Sequence, residues 1–312
     1  MNPALPGPRA LRRVLAVALA IGLPWLWFAV RDVGGRVDAV AVGLPLVGLA
    51  AIVSTAILAV VTRRALPLIT GASVFAVCAT AVIGPRLPRS IPPPDPAVRV
   101  VMANVWDANA TPIEAPSSLL GHDADVVAAV ELPDGGFLQT MTAEAASAGL
   151  DSSVRGGGLA VWSRFPMLEL DDPGFRFARV MRLNVDAPES PFVLYLVHAL
   201  NPLRETSFAQ QRRFTEDLLA AVRAEERPAV VAGDFNMSDR AVSYRTMDDA
   251  LVDAMRAGVA GRTTYVGGWW STLLLRIDHV FVDPTWCAAD PGTFAVNGSD
   301  HRGVTVDVGP CA

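Results

Sequence analysis

The chain has 312 residues, of which 52% are hydrophobic, with a mean hydropathy of +0.36, too apolar for a polypeptide that lies wholly in water. Its charge is uneven: residues 1–90 carry nine Arg against Asp32 and Asp38, net +7, whereas residues 91–312 carry 17 Arg against 29 acids, net −12. This excludes a disordered chain, a disulfide-stapled miniprotein and a basic nucleic-acid-binding domain.

Three apolar runs, 14–30, 40–61 and 66–84, are each long enough to cross a bilayer as a helix. They define a membrane anchor over residues 1–84. Arg9, Arg12 and Arg13 before the first run resemble the start of a secretory signal, but two further spans follow, so the segment is read as retained. Trp25, Trp27 and Phe28 read as an interfacial belt. Three spans put Arg9, Arg12, Arg13, Arg63 and Arg64 on one side and Arg31, Arg36, Arg86, Arg89 and Arg99 on the other. The first helix breaks that tie toward a cytoplasmic N-terminus. The reading is a multi-pass cell-membrane protein with its C-terminal domain extracytoplasmic.

Pro85, Pro88, Pro92, Pro93, Pro94 and Pro96 make residues 85–97 a stiff, extended tether. Beyond it, residues 98–312 alternate short β-branched runs with helical patterns. Strands are predicted at 98–105, 126–130, 159–163, 180–185, 192–197, 229–232, 277–282 and 304–308, and helices at 111–120, 136–148, 205–226 and 244–257, an α+β sheet domain. Cys287 and Cys311 flank its last strands; they either form a disulfide, which requires an oxidising compartment, or stay as two free thiols.

The chemistry gathers where apolar strands end. The first strand ends in Asn104, the second leads to Glu131, the run 194–198 ends in His198, and the run 229–236 ends in Gly233, Asp234, Phe235 and Asn236. Period-two geometry puts Asp234 and Asn236 on one face. Near the C-terminus, Asp278 and His279 open one strand, while Asp300 and His301 precede the last. A carboxylate that orients an imidazole fixes its tautomer and raises its basicity, which suits proton abstraction from water. Oxygen donors such as Asn104, Glu131 and Asp300 favour Mg²⁺, with Mn²⁺ as the alternative, over zinc. That combination points to phosphate-ester chemistry.

Asn104, Glu131, His198, Gly233–Asn236 as Gly-Asp-x-Asn, Ile277-Asp278-His279 and Ser299-Asp300-His301, together with a Gly-strand-Ser163-Arg164-x-Pro segment, resemble the endonuclease/exonuclease/phosphatase superfamily, in the same order. The resemblance implies a four-layer α/β sandwich behind three transmembrane helices. It implies that Asn104, Glu131 and Asp300 surround a divalent metal and that Asp278 buttresses His301. It further implies that His301 activates the attacking water, that Asp234 and Asn236 position it, and that His198 stabilises the phosphoryl oxygens. His279 departs from an apolar residue at its place and reads as facing the sheet. Three spans joined to such a domain are also similar to bacterial membrane proteins associated with teicoplanin-type glycopeptide resistance, which implies an undecaprenyl-type, lipid-linked cell-wall substrate.

Asn201, Arg204 and Arg155 are candidate substrate contacts or plain loop residues. The run 267–275, with Trp269 and Trp270, either packs in the core or meets lipid. A domain of net −12 disfavours nucleic acid, and a short tether raises the effective concentration of membrane-borne substrates. The expected partners are therefore the bilayer and a phosphorylated lipid or small molecule. Competing readings are a cell-surface nuclease or phospholipase C-like phosphodiesterase, and a non-catalytic phosphate-binding sensor.

Overall fold

Continuous apolar runs with no charge favour helices that satisfy their own backbone groups, and the first part of the chain folds that way. A computed structural model describes residues 8–30, 37–171, 173–258 and 263–312. It divides into two units, 1–85 and 86–312. In the first, helices α1 (Pro8–Val30), α2 (Val37–Val42), α3 (Leu44–Thr62) and α4 (Leu66–Ile83) follow one another. Three stretches, Leu11–Ala29, Leu44–Thr62 and Leu66–Arg86, are long and apolar enough to cross a membrane.

The second span was expected from residue 40; the helix restarts at Leu44 after a turn at Gly43. Pro45 explains the break, because a proline has no N–H to give the preceding turn and is favoured in a first turn. Gly71 lets α4 approach α3 closely: a Cβ there would sit 1.8 Å from Thr55 Oγ1. Ser73 Oγ donates to Ile21 O at 3.1 Å, linking α4 to α1. Arg31 and Arg36, counted above for orientation, lie outside the described residues, as does the side chain of Trp270.

The second unit is built from β1 (Val98–Asn104), α5 (Ala115–Leu120), β2 (Val126–Val130), α6 (Phe137–Ser147), β3 (Ser152–Gly156), β4 (Leu159–Ser163), β5 (Met167–Glu169), β6 (Ala178–Val185), β7 (Phe192–Ala199), α7 (Phe208–Arg223), β8 (Ala229–Asp234), α8 (Val242–Ala250), β9 (Val252–Asp253), β10 (Asp278–Val282), β11 (Trp286–Ala295) and β12 (Arg302–Pro310). The strands form two six-stranded mixed sheets, ordered β11-β12-β1-β2-β4-β3 and β5-β6-β7-β8-β10-β9. In each, two parallel strands, β1 with β2 and β7 with β8, lie at the centre.

Alternation along these strands produces the layers. Val100, Met102 and Val126 of the first sheet face Leu183, Leu194 and Val230 of the second across a common core. On the outer face of the first sheet, Val101 and Val127 pack against Leu119 and Phe137 of α5 and α6. On the outer face of the second, Tyr195 and Val231 pack against Phe214, Leu218 and Met247 of α7 and α8. Central strands buried on both faces read as unbroken apolar runs, which is why their sequences carry so few polar residues. The result is the expected four-layer sandwich, preceded by three long apolar helices.

The proline-rich residues after position 85 run along this unit. Arg86 Nε donates to Asp239 Oδ2 at 2.7 Å, and Arg89 makes paired 2.7 Å bonds to Asp248. Asp95 N donates to Pro310 O, and Ala312 N to Pro93 O. Cys287 and Cys311 are joined in a disulfide with Cα atoms 4.9 Å apart.

Candidate active site

Parallel central strands end on the same edge of each sheet, so any polar residue placed just after them converges there. Asn104 ends β1, Glu131 follows β2, and Asp234 ends β8. His198 stands beside Asp234 in the β7–β8 register, and Asp278 beside Asp234 in the antiparallel β8–β10 register. His301 immediately precedes β12, which pairs with β1. The edges of two sheets thus bring together residues separated by almost two hundred positions.

Local backbone makes this possible. Gly233 has φ +155°, and a Cβ there would lie 1.9 Å from Val197 O, so only glycine lets β8 run this close to β7 beside Asp234. Glu131 and Asn236 both take left-handed conformations, φ +51° and +47°, which turn the chain immediately beyond the strand. Asn236 N donates to Asp234 Oδ1 at 2.8 Å, and Asn236 Nδ2 to Ala199 O at 2.9 Å.

Asp278 and His301 form a dyad. Asp278 Oδ2 lies 2.9 Å from His301 Nδ1 in a fully buried setting. This leaves Nε2 turned toward Asp234 Oδ2 at 3.8 Å and Asp300 Oδ1 at 4.0 Å. Burial disfavours charge on His301, but Asp278, Asp234 and Asp300 outweigh it and push the imidazole up to about 10. A second pair lies alongside: His198 Nε2 and Glu131 Oε1 are 3.0 Å apart. Burial opposes ionisation of both, yet their hydrogen bond wins. Glu131 is held down at about 2 and His198 is raised, the latter helped by Asp234. Burial and the field of Asp278 lift Asp234 to about 6, while burial, with Glu131 adding repulsion, lifts Asp300.

Asn104 is wholly buried and donates to Asp234 Oδ2 at 3.0 Å, while its own oxygen accepts from Trp106 N at 2.8 Å. Ser299 Oγ donates to Asn104 O and accepts from His301 N, joining the two ends of the cluster. Asn201 enters through its Nδ2, which donates to Asn236 Oδ1 at 3.2 Å. Arg155 stands exposed on the outer strand β3, and among the described residues no hydrogen bond or ion pair joins it to the cluster. His279 points to the other face of its sheet. It bonds Met237 O at 3.0 Å among Phe235, Tyr244 and Phe281, and burial lowers it to about 4.

Among the described residues, two groups of side chains have potential ligand atoms within 4.8 Å of one another, Glu131–His198–Asp234 and Asp234–Asp278–His301. In the second group Asp278 and His301 are already bonded to each other, so that set works first as an oriented imidazole. Asp300 Oδ1 is buried without a hydrogen-bond partner. Asp300 belongs to neither group, but its orphaned oxygen, 4.0 Å from His301 Nε2, is of the kind a hard divalent cation takes as a ligand.

Three participants escaped the sequence reading. Thr264 Oγ1, fully buried, accepts from both Ile277 N and Asp278 N at 3.0 and 3.1 Å and so sets the start of β10. Tyr265 packs against the His301 ring at 5.0 Å and hydrogen-bonds Asp300. Arg179 lies opposite His198 in the β6–β7 register, with a guanidinium nitrogen 3.4 Å from where a Cβ on Gly158 would be. Arg179 had a signal, an Arg on a strand paired with a catalytic-type strand; Thr264 and Tyr265 had none, since their loop meets the site only in three dimensions.

The sequence profile of the Endonuclease/Exonuclease/phosphatase family matches residues 103–301. Among solved structures, the chain is similar to an endonuclease/exonuclease/phosphatase from Beutenbergia cavernae, with TM-score 0.56, 20% identity and coverage of 69% of this chain and 72% of that one. It is similar to sphingomyelinase C from Streptomyces griseocarneus, with TM-score 0.52, 14% identity and coverage of 68% and 99%. It is also similar to the human Nocturnin catalytic domain, with TM-score 0.51, 12% identity and coverage of 69% and 95%. At these identities the likeness is one of fold. No curated protein matches the chain significantly.

Proposed function

The chain belongs to the endonuclease/exonuclease/phosphatase family, and from that premise we propose that it is a membrane-anchored, divalent-cation-dependent phosphoesterase acting on lipid-linked phosphate or pyrophosphate. The observation that carries the chemistry is the buried Asp278–His301 pair, whose free Nε2 faces Asp234.

Asn104, Glu131 and Asp300 would hold the cation, Mg²⁺ by the hardness of the donors, and when bound it polarises a phosphoryl oxygen as a Lewis acid. His301 Nε2 takes a proton from the attacking water while Asp278 keeps the other ring nitrogen protonated. Asp234 and Asn236 orient that water. As its oxygen bonds to phosphorus in line, the bond to the leaving oxygen breaks, and His198 donates to the phosphoryl oxygens as their charge builds. His301, at about 10, is protonated at neutral pH by the carboxylates around it. Asp278 and Asp234 supply most of that field and Asp300 the least, so Nε2 becomes free to accept a proton only when the charge of more than one of these carboxylates is offset.

Charge and anchoring support the substrate class. A domain of net −12 is ill suited to a polyanionic nucleic acid, and three candidate spans hold it where lipid-borne esters are concentrated. The Cys287–Cys311 disulfide supports an extracytoplasmic domain, since such bonds persist in oxidising compartments. The test is a phosphate-release screen with full-length protein in detergent and Mg²⁺, across polyprenyl pyrophosphate, phospholipids and plasmid DNA, wild type beside His301→Ala. Release from lipid substrates that His301→Ala abolishes is expected. No turnover of any lipid, or an unaffected variant, would overturn the proposal; nicking of DNA alone would make the protein a nuclease.

A further inference from the structure

Residues 263–275 contain no charged side chain, yet they run beside Asp278, Asp300 and His301. One end of this loop is fixed to the site. Val266 N donates to Asp300 O at 2.8 Å, and Gly267 is so close that a Cβ there would lie 3.0 Å from Asp300 Oδ2. A short 3₁₀ helix, Gly268–Leu273, then lifts Trp269 to 61% exposure, and Leu274 beyond it is 42% exposed.

The other end is held by arginines. Leu274 has φ +54°, a left-handed conformation that a leucine rarely takes. Its carbonyl accepts from Arg240 at 3.1 Å and from Arg86, and the Leu273 carbonyl accepts from Arg240 at 2.8 Å. Arg240 is itself buried, and Arg86 is tied to Asp239. The exposed apolar side chains therefore sit on a fixed turn of defined shape.

Arg86 supplies the second, independent observation. It lies three residues beyond Ile83, the last residue of α4. The chain can carry its Cα no more than about 11 Å from that helix end. The residue that clamps the apolar loop is thus covalently confined to the neighbourhood of the last span's terminus. Leu87, the next residue, is 55% exposed. Trp and Leu side chains favour the headgroup region of a bilayer.

We propose that the loop 267–275 is a membrane-contacting element: Trp269 and Leu274 insert into the bilayer surface beside the end of the third span and hold the Asp300 edge of the active site against lipid. This rests on the reading of the three apolar helices as membrane spans. It gives the catalytic edge a bilayer-borne ester as its nearest reactant and makes the loop, and not the phosphate ligands, the element that recognises the membrane.

The test uses full-length protein in phosphatidylcholine/phosphatidylglycerol vesicles. Trp269→Cys in a Cys78→Ala background is labelled with an environment-sensitive fluorophore, and Leu168→Cys, at a 62% exposed position on β5, serves as the control. The label at 269 is expected to be quenched by spin labels on the acyl chains and to resist aqueous iodide about fivefold better than the label at 168, as an interfacial depth requires. Equal iodide quenching at the two positions in vesicles that float with bound, carbonate-resistant protein would overturn the loop proposal alone. Loss of flotation would overturn the anchoring and the loop with it. Without labels, Trp269→Phe is expected to remove part of the quenching that brominated lipids produce in the wild type; an unchanged signal contradicts insertion.

Discussion

His301 concentrates the physics of the site in one ring. Asp278→Asn keeps the shape of the pair but removes the charge that holds Nδ1–H, so kcat/KM is expected to fall about 10²- to 10⁴-fold. The same variant moves the His301 titration down from about 10, readable by nitrogen-15 NMR of the ring; an unmoved titration would contradict the dyad. In cation-free protein, a pKa raised from 6.5 to about 10 stabilises the fold fully below pH 6.5, and this is lost as pH rises toward about 10. Glu131 works in the opposite direction, its contribution present above its ordinary 4.5 and lost as pH falls toward about 2. Saturating Mg²⁺ is expected to lower the His301 titration, and EDTA to restore it. The convergence of these positions was legible because His198, Asp234 and His301 each end or precede an apolar strand. Arg179, Thr264 and Tyr265 were not, because register and loop approach, and no local pattern, bring them in.

At the scale of elements, the central strands were the readable ones. The expected strands 126–130 and 159–163 coincide with β2 and β4, since buried strands are continuous β-branched runs. β3, β5, β9 and β11 escaped notice. β11 carries Asp290, Pro291 and Gly292 at a bulge, a sequence that reads as a turn. The helix expected over 244–257 stops at Ala250, because Val252 and Asp253 pair with β10. Asp253 holds that break: it bonds Arg276 at 2.7 Å and Tyr244 at 2.5 Å, and caps the short helix after it through Met255 N. Both Asp253 and Arg276 are buried, so removing Asp253 leaves the Arg276 charge with only the longer 3.4 Å pair to Asp239. Asp253→Ala is expected to destabilise the domain by about 3–5 kcal/mol, measured by chemical denaturation; a loss within 1 kcal/mol would show that the network relaxes. Because Arg276 lies two residues before Asp278, the same change is expected to loosen the Asp278–His301 pair.

The whole molecule joins a basic, apolar helical segment to an acidic domain, a division visible in the charge arithmetic alone. Its disulfide was one of two readings of the sequence, since spacing says nothing about Cα separation. Closing a loop of 24 residues stabilises the fold by about 3 kcal/mol through the unfolded chain's lost freedom. Cys287→Ser with Cys311→Ser is expected to lower stability by that amount and leave kcat unchanged, because the bridge lies at the β11–β12 end and touches none of the candidate catalytic residues. A kcat that collapses with the bridge would tie the two ends of the sandwich together in a way the contacts do not show.

The link between α4 and Arg86 is only a few residues long, and on the proposed function that brevity would set the dimensionality of the search for substrate. An enzyme held so close to a bilayer would meet its lipid esters by lateral diffusion, so what it would sense is molecules per unit area. Adding inert phospholipid at constant total substrate is expected to slow turnover as surface density falls, whereas diluting the same vesicles with buffer leaves the rate per enzyme unchanged. Detergent-solubilised protein, freed from the plane, exchanges that two-dimensional law for one governed by bulk concentration.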